Sequence, residues 1–269
     1  MQIIRFKSDD DKIYTGCDFD NNTASVIEGD IYGDFFNTGK RREVKKILPP
    51  ILPSVIYCIG LNYKLHAEET GLELPEYPVV FMKNLGAVAG HLDDIIIPSS
   101  CAKVPEVDFE AELAVVIKKR AKNVLPENAL DCVLGYTCAN DISARRWQKH
   151  GGGSQWIKGK SFDTFCPFGP WIVTKDENRD PDNLDLECVL NGRTMQKSNT
   201  GDMIFSVAQI ISYLSESATL VPGTIILTGT PSGVGFTRKP PVFLAPGDIL
   251  ETKIERIGVL KNQVIAEKQ

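Results

Sequence analysis

The sequence predicts a mixed, predominantly β fold. Short β-branched and apolar runs recur between Gly and Pro punctuation, and helical periodicity is confined to two stretches. The chain also lacks the glycine patterns of a Rossmann or P-loop βα unit.

In chain order, residues 1–48 open with Met-Gln-Ile-Ile-Arg-Phe and stay polar and strand-prone. Turn-like breaks at Asp20-Asn21-Asn22 and Gly29-Asp30 predict a small N-terminal β domain. The basic run Lys40-Arg41-Arg42 and Lys45-Lys46, read as a solvated face or linker, leads into Pro49-Pro50. That pair marks a boundary, with 49–269 as the larger domain beyond it. Beyond it, strands are expected over 55–59, 79–81, 95–97, 114–117, 171–173 and 224–227, where β-branched residues dominate. Helical pattern is limited to 127–134 and 204–214. In the second stretch Ile204, Val207, Ile211 and Leu214 recur at helical spacing and should pack on the core.

Composition narrows the function classes. A hydrophobic fraction of 42 % suffices for a full core, and a net charge of -5 offers no basic footprint for nucleic acid or anionic membrane. No apolar run is long enough to span a bilayer and no signal-peptide core is visible, so cytoplasmic residence is expected, or mitochondrial if a presequence is missing. The seven cysteines are scattered without a C-x-x-C pair, and only His66, His91 and His150 are present. A zinc site or disulfide scaffold is therefore poorly supported, and any metal should be sought among oxygens.

The segment Val107-Asp108-Phe109-Glu110-Ala111-Glu112-Leu113 alternates apolar and acidic residues. On a strand the three acids would share one face, where they repel unless protonated, solvated or bridged by a cation. By itself the segment is equally well an exposed edge strand. Asp141, set in Gly135-Tyr136-Thr137-Cys138-Ala139-Asn140-Asp141-Ile142-Ser143-Ala144-Arg145, supplies a further acid after a small-residue strand. Carboxylates without histidine partners suit Mg²⁺ or Mn²⁺.

Eight blocks in order resemble the fumarylacetoacetate hydrolase family. They are Gly60-Leu61-Asn62-Tyr63, His66-Ala67-Glu68-Glu69, Asp108-Phe109-Glu110-Ala111-Glu112, Asn140-Asp141-Ile142-Ser143-Ala144-Arg145, Lys160-Ser161-Phe162-Asp163, Leu227-Thr228-Gly229-Thr230-Pro231-Ser232-Gly233-Val234-Gly235, Pro246-Gly247-Asp248 and Ile257-Gly258-Val259-Leu260-Lys261-Asn262. The likeness covers about 54–264 and implies an irregular, mixed β-barrel-like domain behind a small N-terminal β domain, usually as a homodimer. It also implies that Glu110, Glu112 and Asp141 hold the metal, whereas Asp108 is not carried over as a ligand. Arg146, Asn84 and His91 depart from residues common in the family, which leaves the triad intact and bears on substrate identity.

A divalent ion so held would chelate a small 2-oxo acid, polarise its carbonyl and stabilise an enolate. His66 and Glu69, three apart on a helical turn, form the expected proton-transfer pair, and Lys160, in an apolar setting, the fixed positive charge. Arg145 and Gln148 either bind the far end of the substrate or, for Arg145, brace the loop by a salt bridge. Thr228-Gly229-Thr230-Pro231 reads as a carboxylate cradle, with Thr230 on the substrate, or as a tight turn between strands. Gly151-Gly152-Gly153-Ser154 reads as a lid hinge or an inert connection.

The leading expectation is a metal-dependent hydrolase cleaving a C–C bond of an acylpyruvate-like or β-diketo acid. The alternative is an oxaloacetate keto–enol tautomerase or decarboxylase, favoured by a likeness of 159–170 to the eukaryotic tautomerase branch. The third is a non-catalytic metal- or ligand-binding homologue.

Overall fold

A computed structural model describes residues 1–268. Three sheets make up the molecule. The largest has 12 strands, ten of them along an open path that starts with an antiparallel meander, Gln2–Lys7, Ile13–Cys17, Thr23–Gly29 and Phe35–Glu43. Its first strand also pairs with Cys166–Thr174, Gln2 opposite Val173, so hydrogen bonding runs unbroken from the N-terminal strands into the larger body. The path continues through Val133–Asn140, Ala111–Ile117, Thr224–Leu227, Val55–Gly60 and Val79–Met82.

The three consecutive strands Ala111–Ile117, Val133–Asn140 and Thr224–Leu227 are buried along their whole length. This explains their near-continuous apolar runs: with both faces covered, a strand has no solvent side on which to alternate. One cover is a five-stranded sheet of Arg193–Asn199, Asp185–Leu190, Ile249–Ile254, Gly258–Ala266 and Ile95–Ile97, which packs against the central strands. The helix Val207–Ser215, started by a capping box between Ser206 and Gln209, adds its apolar face to the same core. Val207, Ile210, Ile211 and Leu214 form its buried face, and Ile204 precedes it. The N-terminal meander keeps a small core of its own around Ile4, Phe6 and Ala24.

The acidic segment is not one continuous strand. Val107–Asp108 pairs with Ser143–Ala144 in a separate two-stranded sheet, and the chain rejoins the main sheet at Ala111. The break at Phe109 and Glu110 turns Asp108 away from the side on which Glu110 and Glu112 meet Asp141. The other stretch with helical pattern is shorter than predicted: helix covers Pro126–Ala129, a 3-10 turn follows at Leu130–Cys132, and Leu134 already lies in a strand.

Candidate functional site

Strand register assembles the acids. Ala111 lies opposite Asn140 and Glu112 opposite Ala139, so Glu110 and Asp141 sit at the same strand ends. The junction is locked by Asp141 N–H donating to the Glu110 carbonyl at 2.8 Å and Glu110 N–H donating to Asn140 Oδ1 at 2.9 Å. One carboxylate oxygen from each of Glu110, Glu112 and Asp141 falls within 4.8 Å of the others, and all three residues are buried.

Three buried cations surround them. Lys160, from the short helix Ile157–Lys160, donates to Glu110 Oε2 at 2.7 Å and Asp141 Oδ2 at 2.6 Å. Lys83 donates to the other oxygen of Asp141 and to the Ile142 carbonyl. Arg145 donates through Nη1 to Glu110 Oε1 at 2.6 Å and through Nε to Asp108 Oδ2 at 2.8 Å; its Nη2 also lies near Asp108 but is not aligned for a hydrogen bond.

Among the described residues no Lys or Arg forms an ion pair with Glu112, although Lys160 lies near enough to act on its charge. The one hydrogen bond to its carboxylate comes from the Gly229 N–H, at 2.7 Å. Burial, then the negative charges of Asp141 and Glu110, push its carboxyl well above the usual range. Burial acts the same way on Glu110, but there Lys160 and then Arg145 outweigh it and hold the group low.

This donor set fits a hard divalent cation. It offers three converging carboxylates with no sulfur or imidazole among them, and one buried acid still lacks a positive partner. Glu110, Glu112 and Asp141 would hold the ion.

Beside the acids lies a cavity of about 440 Å³, lined among others by His66, Arg145, Gln148, Lys160, Thr230 and Phe236 as well as Glu110 and Glu112. His66 belongs to the helix Lys64–Thr70, and its Nδ1 lies 3.1 Å from Glu69 Oε2, which leaves Nε2 as the unengaged nitrogen. Glu69 is itself clamped by Gly233 N–H and the Thr237 hydroxyl. Burial alone would raise its carboxyl, but the bonds from His66, Thr237 and Gly233 outweigh that and lower it.

The remaining expectations resolve into specific contacts. The guanidinium of Arg145 is held by Asp108 and Glu110, the ion pairs expected of a brace, while it also lines the cavity. Gln148 accepts from Arg145 Nη1 at 3.0 Å, so its amide nitrogen is the end left over for a ligand. The Thr-Gly-Thr turn does cradle a carboxylate, but the protein's own. Gly229 adopts φ 101°, and an added Cβ would stand 2.7 Å from Asn62 Cβ, so only glycine presents this N–H to Glu112. The Thr228 and Thr230 hydroxyls donate to the carbonyls of Leu113 and Ala111. Gly151 ends the π-helical turn Trp147–Gly151 against the Trp147 ring, and Gly152 and Gly153 lie in the tight turn that follows.

Lys83 was missed. Its signal was the period of the strand Val79–Met82, because Phe81 is buried on it and residue 83 falls on the same face. Phe236, also missed, lines the cavity under Arg145 and Lys149.

The profile of the fumarylacetoacetate (FAA) hydrolase C-terminal domain matches residues 55–265. The chain belongs to the fumarylacetoacetate hydrolase family. It is 48 % identical over 225 residues to mitochondrial oxaloacetate tautomerase FAHD2A of Bos taurus, covering 84 % of this chain and 71 % of that protein. To the fumarylacetoacetate hydrolase domain-containing protein 2 homolog of Dictyostelium discoideum it is 50 % identical over 228 residues, 81 % and 74 % of the two chains. Among solved structures, the 2-hydroxyhepta-2,4-diene-1,7-dioate isomerase of Mycobacterium marinum superposes with TM-score 0.85 at 38 % identity, covering both chains fully. The fumarylacetoacetate hydrolase of Exiguobacterium antarcticum gives 0.86 at 34 % identity, over 99 % of this chain and 100 % of that one. The family thus includes relatives named tautomerase, isomerase and hydrolase on one fold.

Proposed function

We propose that this protein is a divalent-cation-dependent enzyme that interconverts the keto and enol forms of a small 2-oxo acid of the oxaloacetate type. The observation that carries the reading is Glu112, a buried carboxylate without a cation beside two others that converge on it at the cavity wall. The names of the curated relatives favour tautomerisation over the C–C bond hydrolysis that leads from sequence.

Bound there, Mg²⁺ or Mn²⁺ would act as a Lewis acid toward the 2-oxo and carboxylate oxygens of the substrate. Keto–enol exchange moves one proton between carbon 3 and the oxygen on carbon 2. His66 Nε2 is the group that takes and returns it, with Glu69 fixing the tautomer through Nδ1. Lys160, kept protonated by Asp141 and Glu110 against the opposing effect of burial, offers fixed positive charge to oxygen as charge develops. The Gln148 amide contacts the substrate along the cavity wall, which Thr230 also lines with its hydroxyl turned to the Ala111 carbonyl.

The test follows enol-oxaloacetate absorbance by stopped flow with Mg²⁺ or Mn²⁺. Accelerated ketonisation is expected, and a rate equal to buffer under every metal would sink the reading.

A second reading, hydrolysis of an acylpyruvate-type C–C bond, is favoured by the His66–Glu69 pair, since the same base can activate water. Pyruvate release from acylpyruvates separates the two.

We also propose a homodimer. Val79–Met82 ends the path of the large sheet and exposes Val80 and Met82, with Leu72, Leu74 and Tyr77 exposed just before it in the chain. A monomeric mass by light scattering would reject the dimer. Residence in mitochondria is supported by the names of relatives, and fractionation tests it against the cytoplasm.

A further inference from the structure

We propose that Lys149 recognises a second carboxylate on the substrate and so selects 2-oxo diacids over 2-oxo monoacids. The proposal rests on the reading of the site as one for small 2-oxo acids, and names the residue that sets their class.

Three Lys and Arg side chains line the cavity: Arg145, Lys149 and Lys160. Lys160 is bound between Glu110 and Asp141, and Arg145 between Asp108 and Glu110. Among the described residues the Lys149 ammonium has no carboxylate partner. It rests instead 4.4 Å from the centroid of the Phe236 ring, and the Arg145 guanidinium carbon lies 4.4 Å from the same centroid. A ring face attracts a cation but neutralises nothing. Two positive groups therefore share one ring: Arg145, buried and paired with carboxylates, and Lys149, exposed to water and paired with none.

The backbone that carries Phe236 is anchored, because its N–H donates to Asp108 Oδ2 at 3.0 Å. Gln148, next in the chain, is oriented through Arg145 and has its amide nitrogen free, adding a neutral donor beside the cation. The cavity is thus polarised. Its acid end has a carboxylate, Glu112, short of a positive charge, and its Lys149 end has a positive charge short of an anion. A 2-oxo diacid matches both ends once the acids hold a divalent ion, because its distal carboxylate completes the Lys149 side. A monoacid leaves that side unmatched.

The experiment compares Lys149→Met and Lys149→Arg with the wild type, using enol-oxaloacetate and its 4-methyl ester, which keeps the reacting end and removes the distal charge. In Lys149→Met, KM for the diacid should rise about five- to tenfold with kcat little changed, while KM for the ester stays put. Lys149→Arg should keep most of the preference. Calorimetric binding to the Mg²⁺-loaded protein gives a readout free of turnover: malate should weaken by the same factor in Lys149→Met, and 2-hydroxybutyrate should not. Equal effects on diacid and ester, or no effect on either, overturn the assignment of Lys149. If the wild type binds malate with a Lys149-dependent preference yet does not accelerate ketonisation, the proposed reaction fails and the Lys149 assignment stands.

Discussion

Glu112→Gln should act with opposite sign on the metal-free and the metal-loaded protein. Without a divalent ion, the buried carboxylates Asp108, Glu110, Glu112 and Asp141 face three buried cations, Lys83, Arg145 and Lys160, and Glu112 is the acid without one. Burial, then Asp141 and Glu110, raise its carboxyl in the folded state. A raised acid contributes stability that is complete below the unfolded value, about 4.3, and is lost as pH rises toward the folded value. The slope in that window approaches about 1.4 kcal/mol per pH unit. Glutamine can still accept the Gly229 N–H and carries no charge to develop. In EDTA the variant should therefore match the wild type near pH 4 and become more stable above it, by about 1–3 kcal/mol. That is worth about 2–4 °C of melting temperature per kcal/mol for a chain near this size. With Mg²⁺ or Mn²⁺ at a hundredfold excess over Kd, the wild type gains about 2.7 kcal/mol and the variant should gain little. Scanning calorimetry from pH 4 to 8, with EDTA and with metal, reads all of this. A variant less stable than wild type in EDTA at pH 8, or one that keeps the full metal-induced shift, would refute the charge accounting.

Three further outcomes are expected. His66→Ala should lower kcat by about 10²- to 10⁴-fold while leaving the Mg²⁺-induced melting shift intact; unchanged kinetics on every 2-oxo acid would remove His66 from the chemistry. Lys83→Met should cost about 3–5 kcal/mol in denaturant titrations without metal, because it strands Asp141 with one cation fewer, and a neutral result would show that Lys160 suffices. EDTA should abolish turnover and added Mg²⁺ or Mn²⁺ restore it, so full activity in protein shown by elemental analysis to be metal-free would reject the cation.

Much of the sheet was legible because its central strands are covered on both faces. The runs predicted at 55–59, 79–81, 114–117 and 171–173, with those at Ile95–Ile97 and Thr224–Leu227, all fall within observed strands. Apart from Ile95–Ile97, the strands of the five-stranded sheet were harder to see. Asp185–Leu190, Arg193–Asn199 and Ile249–Ile254 carry Glu187, Lys197, Glu251 and Lys253 on their open face, so no apolar run marks them. Ile157–Lys160 is a single helical turn, too short for periodicity to register. At the site, residue types revealed the acids and His66, but not what each is bonded to. Arg145 has the same sequence signature as substrate clamp or as brace, and only the position of Asp108, set by the break after it, shows its guanidinium engaged by Asp108 and Glu110. Lys83 and Lys149 are ordinary lysines in sequence. One is buried against Asp141 and the other stands unpaired on an aromatic ring, a difference that exists only in three dimensions.

The distribution of these residues along the chain bears on how metal binding couples to folding. Glu110 and Glu112 meet Asp141 across a strand pair, Lys160 arrives 19 residues later, Lys83 comes from 58 residues before Asp141, and Gly229 reaches back to Glu112 across 117 residues. No short segment contains enough of the site to bind a divalent ion well, so the unfolded chain has little affinity for one and nearly all the binding energy falls on the native state. The same separation makes the site late to form, because loop closure must precede each contact. Without a cation, the repulsion at Glu112 burdens a core that is otherwise complete, and it is felt only after the central strands have paired. The ion therefore stabilises the end point of folding and does not nucleate it: Mg²⁺ should slow unfolding while leaving the refolding rate nearly unchanged. A refolding rate that climbs with Mg²⁺ concentration would mean that the acids gather before the sheet closes.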